Sequence, residues 1–199
     1  MSIDDLVRQL EDPDADTRAL ALGSLIRHGS AALPALYGAL KSAKVETRQY
    51  AAEGVASIAD PSSADVLHAA LSDNDGYVRS QAAVGLMRMG DPRALAALVA
   101  TIADYENVLR GDETLSSAAL NAYGSQALPA LAPVLKDVDP WRRRYAFAVV
   151  RKLASNLLGP QGDWQQLHST LGTYDPDGPA DERDAAADQW QAWIRTHLP

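Results

Sequence analysis

Five basic side chains, Arg142, Arg143, Arg144, Arg151 and Lys152, fall within DVDPWRRRYAFAVVRKLA (residues 137–154), and no acid lies between Trp141 and Lys152. Cations grouped in this way bind carboxylates or phosphates, and guanidinium groups do so through paired, charge-assisted hydrogen bonds. The rest of the chain is acidic. With 26 acidic and 18 basic residues its net charge is −8, which repels nucleic acid and anionic membrane over most of the surface. Any anion site is therefore local.

Other chemistries find less support. The absence of cysteine excludes disulfides, zinc–thiolate centres, iron–sulfur ligation and a cysteine nucleophile. No phosphate-binding glycine loop, dinucleotide fingerprint or nucleophile elbow occurs. His28, which falls in an apolar column described below, reads as a packed side chain rather than a ligand. The expectation is a chain with no catalytic residues, no metal and no cofactor. Its opening, MSIDDLVRQLEDPD, lacks the basic start and apolar run of a signal peptide. No apolar run reaches the roughly 18 residues of a membrane span, so a cytoplasmic, non-membrane protein is expected.

The basic stretch is one copy of something that recurs. DPDADTRALALGSLIRHG, SAKVETRQYAAEGVASIAD, DNDGYVRSQAAVGLMRMGD and DVDPWRRRYAFAVVRKLAS align on Arg18, Arg48, Arg79 and Arg143. A further register falls at Glu113, where the arginine is replaced, and a degenerate one at Arg183. Three residues after the anchor stand Ala21, Ala51, Ala82, Ser116, Ala146 and Ala186. Seven after stand Leu25, Val55, Leu86, Leu120, Val150 and Trp190, and ten after His28, Ile58, Met89, Tyr123, Leu153 and Trp193. Offsets of 3, 7 and 10 form an i, i+4, i+7 stripe, so each unit holds a helix with one buried face. The small residue at offset 3 predicts a close helix crossing.

An apolar segment of helical spacing precedes each anchor: LPALYGALKS, ADVLHAALSD, ALAALVATIAD and LPALAPVLKD. The near-identical GSAALPAL and GSQALPAL fit a glycine stop followed by a serine N-cap. In three turns the sequence is Asp-x-Asp-x-x-x-Arg, and its second acid (Asp14, Asp75, Asp139) is placed to cap the helix that follows. Pro140 sits where proline is tolerated, at the first helical position. Each repeat is thus a helix pair, with approximate bounds 1–29, 30–60, 61–91, 92–124, 125–158 and 159–199 in a single domain.

With the turn D-x-D-x-x-V/T-R-x-x-A-A and a closing glycine, the chain resembles the HEAT-like repeat proteins of the phycobilisome-lyase type. The likeness is strongest over residues 1–91 and departs at 104–113 and 159–182. It implies an all-α, right-handed superhelix of about six antiparallel helix pairs, the last degenerate and capping. It also implies that the anchors Arg18, Arg48, Arg79 and Arg143 tie neighbouring turns together by pairing with their aspartates. HEAT-like hydroxylases hold iron in His-Glu pairs, and none occurs here. HEAT-like DNA glycosylases use a basic groove, but a phosphate-binding stripe should cross several repeats, and here only one repeat is basic.

In such a superhelix the second helices line the concave surface, a common partner-binding face. The columns opposite the buried stripe place Tyr50, Glu53, Val84, Met87, Arg88, Asn121, Arg144, Tyr145, Arg151 and Lys152 there. Tyr, Met and Arg are enriched at interfaces, whereas Lys and Glu are depleted. The expected function is a non-catalytic scaffold or adaptor for another protein, one with an acidic segment facing Arg144, Arg151 and Lys152. An alternative is a lyase-like or chaperone-like helper holding a bilin-bearing or similar protein, and a weaker one is a DNA-binding repair protein. Trp164, Trp190 and Trp193 suggest an aromatic C-terminal cap. Its acidic segment, Asp175 to Asp188, is alternatively a hook for the basic patch of a second copy.

Overall fold

The computed structural model describes residues 1–104, 113–159 and 163–198. Most of the lengthened turn expected at 104–113, and residues 160–162 of the interruption expected at 159–182, lie outside the described residues. The fold is all-α, and no β-strand occurs among the described residues. It divides into two compact units, Met1–Ala97 and Leu98–Pro199.

In the first unit a short helix alternates with a long one. The pairs are α1 (Ile3–Gln9) and α2 (Ala15–His28), α3 (Leu33–Ala39) and α4 (Val45–Ile58), and α5 (Ala64–Ala70) and α6 (Gly76–Arg88). Each short helix packs on its own long partner, and the long helices stack α2 on α4 on α6. Helices of seven residues are far below the ~12–15 at which isolated helices become marginal in water. They hold because each buries leucine, Leu6 in α1 and, fully, Leu36 and Leu67 in α3 and α5, with Leu10 buried just past the end of α1, at about 2 kcal/mol per side chain.

The division between the units falls within α7 (Ala94–Ala100). The second unit continues through α8 (Leu115–Tyr123) and α9 (Leu128–Leu131). Next come a 3-10 segment, Ala132–Lys136, and then α10 (Pro140–Leu158), α11 (Trp164–Thr170) and α12 (Ala180–His197). Helix α8 packs on α10, and the 3-10 segment lies against both α10 and α12.

The anchor columns explain both cores. All six residues at offset 3 are at most 7% exposed, and all six at offset 7 are fully buried. Offset 10 behaves differently: Leu153 and Trp193 are buried, Ile58, Met89 and Tyr123 half-buried, and His28 exposed. At 100° per residue this column lies about 60° from offset 7, on the edge of the stripe. Only a repeat with a broad neighbour covers it, and His28 is therefore not the packed core histidine expected.

The two near-identical segments share one local solution. Helices α2 and α8 stop at Gly29 (φ 59°) and Gly124 (φ 81°), a backbone region costly for residues with a Cβ. The serine that follows does not cap the next helix. Instead it lies in a one-turn 3-10 segment, Gly29–Ala32 or Ser125–Ala127, and Ser30 Oγ donates to Asp60 at 2.5 Å.

Candidate functional site

The repeated turns come first, because they aim the long helices. The first aspartate of each motif accepts the backbone N–H two residues on: Asp12 from Asp14 at 2.9 Å, Asp73 from Asp75 at 2.8 Å and Asp137 from Asp139 at 3.0 Å. The second caps the helix, Asp14 accepting from Thr17, Asp75 from Val78 and Asp139 from Trp141. The anchor arginine then closes the turn by donating to the carbonyls five and six residues before it. For Arg143 these are Val138 (3.0 Å) and Asp137 (2.8 Å), and Arg18, Arg48 and Arg79 repeat the pattern.

For Arg18 and Arg143 this differs from the tie to a neighbouring aspartate expected of all four. Arg48 makes that tie, to Asp73. Arg143 crosses instead to the Pro176 carbonyl at 2.8 Å. Arg18 makes no ion pair among the described residues. Its guanidinium lies over the Tyr50 ring, 5.6 Å from the centroid, and its buried Nε has no partner.

The proposed binding face of the first unit is largely consumed by packing. Val84 is 8% exposed, not the surface residue expected. Gly85 and Ala56 bring α4 and α6 so close that the flanking column joins the seam. Glu53 accepts from Tyr77 Oη at 2.8 Å, and Gln81 donates to the same Tyr77 oxygen at 2.8 Å. Arg88 donates to the Ala56 carbonyl at 3.2 Å, Tyr50 lies under Arg18, and Met87 is half-buried.

The second unit sorts its candidates differently. Tyr145 is 4% exposed and packs beside Trp141, with centroids 6.3 Å apart, so it too is core rather than surface. Arg144 pairs with Asp177 at 2.5 Å and lies 4.8 Å over the Trp141 ring. The acidic segment thus meets the basic patch within the same chain, where a hook to a second copy was the alternative. Arg142 pairs with Asp137 at 2.8 Å. Of the five cations in the opening stretch, Arg151 and Lys152 remain, both exposed.

These two line a cleft of about 500 Å³ with Glu113, Ser117, Asn121, Ala148, Val149, Ser155, Asn156 and Trp164. Asn121 Nδ2 donates to Glu113 Oε1 at 3.0 Å, fixing the carboxylate, and Lys152 Nζ stands 3.7 Å from that oxygen. Arg151 has no hydrogen bond or ion pair among the described residues. The Trp164 indole, half-buried, stacks on Trp190 (5.5 Å) and His168 (5.4 Å). Trp190 is fully buried and also meets Phe147 and Trp193 edge-on. The aromatic cap therefore fixes one wall of the cleft. From the sequence, Trp164 was expected only as part of the aromatic cap and Glu113 only as a replaced anchor, and neither as a binding residue. The available signal was Glu113 standing in the arginine column.

Among the described residues no group of three or more His, Asp or Glu is arranged to hold a metal. No helix among them is long and apolar enough to cross a membrane. The arrangement suits recognition: fixed charges and an aromatic wall on a rigid helical support.

Helix pairs punctuated by Asp-x-Asp-x-x-x-Arg turns define a helical-repeat protein. Residues 33–116 match the family model for HEAT repeats. No curated protein matches the chain significantly. Solved structures similar to it include the complex of CpcE and CpcF of phycocyanin lyase from Nostoc sp. PCC7120. That match has 23% identity and a TM-score of 0.44, covering 95% of this chain and 97% of the other. A designed armadillo repeat protein matches at 17% identity and TM-score 0.40, covering 97% and 100%. An engineered protein matches at 18% and 0.42, covering 99% and 98%.

Proposed function

We propose that this chain is a non-catalytic scaffold that holds another protein, and that it does so on the exposed side of α8 and α10. The observation carrying this reading is the contrast between the two units. In the first, most of the candidate side chains are bonded or buried in the seam between long helices. In the second, Arg151 has no ion pair among the described residues and Lys152 is only loosely paired, 3.7 Å from Glu113, over a preformed cleft of about 500 Å³, within the usual size range of binding sites. A net charge of −8 with basic character confined to one repeat favours a protein over nucleic acid, which demands phosphate contacts along several repeats.

The test is affinity capture from the native lysate with the wild type and with Arg151→Glu/Lys152→Glu, read by mass spectrometry. Both positions are exposed, so the variant should fold, as circular dichroism and melting would verify. A protein retained by the wild type and lost by the variant supports the reading. Identical recovery from both would sink it.

A further inference from the structure

We infer that the α8–α10 cleft takes an extended peptide segment presenting a single carboxylate side chain. This rests on the scaffold reading and specifies the chemistry of its partner.

The inference comes from the charges in the cleft. Among the described residues its walls carry two cations, Arg151 and Lys152, and one carboxylate, Glu113. Glu113 is not free to leave, because Asn121 holds it at 3.0 Å. It only partly neutralises Lys152, since 3.7 Å is an ion pair too long for a hydrogen bond. One positive charge is left over, and the unengaged guanidinium of Arg151 is its geometric outlet. A monoanion balances it. A phosphate, with −1.5 to −2 charges, would be overcompensated and would face the Glu113 carboxylate, a like-charge juxtaposition that interfaces avoid. The planar fork of Arg151 suits the two oxygens of a carboxylate.

The remaining walls describe what carries the carboxylate. Val149 and Ala148 make an apolar floor, and Trp164 offers an aromatic face that cannot swing away, being stacked against Trp190 and His168. Ser155 and Asn156, on the same helix, supply hydroxyl and amide groups for main-chain contacts. An apolar or aromatic neighbour beside an acidic side chain, on a backbone offering its own amides, fits these walls in turn. A small free carboxylate would use Arg151 alone and leave the floor and Trp164 exposed.

The experiment is a display selection of random dodecapeptides on the intact protein. Enriched peptides are then titrated by fluorescence polarisation against the wild type, Arg151→Gln, Arg151→Glu/Lys152→Glu and Trp164→Ala. Enriched sequences should be dominated by a single Asp or Glu next to an apolar residue. They should bind the charge-reversed variant at least about tenfold more weakly, and replacing their acid by Asn or Gln should reproduce that loss. Enrichment of non-acidic peptides, or retained affinity for the charge-reversed variant, overturns the assignment while leaving a scaffold that binds elsewhere. Tighter binding of phosphoserine than glutamate versions of the same peptide overturns the monoanion assignment. No enrichment, together with unchanged protein capture by the charge-reversed variant, overturns this inference and the scaffold reading at once.

Discussion

The Arg48 guanidinium spans the Asp73 carboxylate, Nε 2.8 Å from one oxygen and Nη2 3.0 Å from the other, while Nη1 holds the Ser42 carbonyl at 3.0 Å. Both side chains are about 15% exposed or less. Burial alone would raise the Asp73 pKa, but the Arg48 hydrogen bond and the Asp75 backbone N–H outweigh it and hold the carboxyl below its usual range. Removing one member of such a pair strands the other, at a cost of about 3 kcal/mol or more. Arg48→Met should therefore destabilise more than Arg18→Met, whose arginine makes no ion pair among the described residues. Arg48→Lys should fall between wild type and Arg48→Met, because an ammonium cannot span both oxygens. Urea unfolding of the three variants checks the order, and Arg48→Met/Asp73→Asn should recover part of the loss.

Two backbone positions should respond in opposite directions. A Cβ on Gly85 would overlap Leu67 Cδ1 and lie 3.0 Å from Ala56 Cα. Gly85→Ala gains about 1 kcal/mol of helix propensity, but overpacking a closed seam costs about 1–3 kcal/mol, so the net effect is destabilising. Ala59 ends α4 at φ 54°, where the corresponding ends of α2 and α8 carry glycine. Left-handed geometry costs alanine about 1 kcal/mol, so Ala59→Gly should raise stability by a few tenths of a kcal/mol after the unfolded-state entropy of glycine is included. Thermal melts of the two variants should shift in opposite directions.

The repeat, its turns and its buried stripe were legible in the sequence because they depend on local periodicity. Ala82 and Leu86 announce their burial by spacing alone. Val84 and Tyr145 do not, since their burial comes from how closely the neighbouring long helix approaches, a tertiary distance that no single helix encodes. The pairing of Arg144 with Asp177 was hidden for a related reason. Both charges were visible, but they stand 33 residues apart, and only the return of the chain before α12 brings them together. What separates Arg151 from its four basic neighbours is the absence of a partner among the described residues, a property of the assembled unit.

Asp91 should mark the acid limit of the first unit. Hydrogen bonds from the Arg93 guanidinium and backbone N–H hold its carboxyl at about 2, against roughly 3.9 in an unfolded chain. A depressed carboxylate stabilises fully above its unfolded value and loses that contribution as pH falls toward its folded value. Stability attributable to Asp91 should therefore be constant above about pH 5 and decline between pH 4 and 2. Asp91→Asn should lower stability at pH 7 and flatten that decline. Carboxyl chemical shifts followed from pH 6 to 2 give the titration directly, and a midpoint near 4 for Asp91 would contradict the structure.

At the alkaline end the sensitive group is Tyr174 in the second unit. It is 3% exposed, donates its hydroxyl to the Leu135 carbonyl at 2.5 Å and packs on Phe147 at 4.6 Å. Burial pushes its phenol up to about 12, because a phenolate there would lose water and face a carbonyl oxygen. The folded state thus favours the neutral form, whereas the unfolded chain ionises near 10. The resulting stabilisation is complete below about pH 10 and lost as pH rises toward 12. Absorbance titration should show Tyr174 ionising late, as a late component of the wild type that is reduced in Tyr174→Phe. That substitution should also cost about 1–3 kcal/mol at pH 7, because it leaves the Leu135 carbonyl buried without its donor. Urea midpoints measured from pH 7 to 11 should then fall less steeply for Tyr174→Phe than for the wild type. Parallel slopes would mean that the phenol is not what limits alkaline stability.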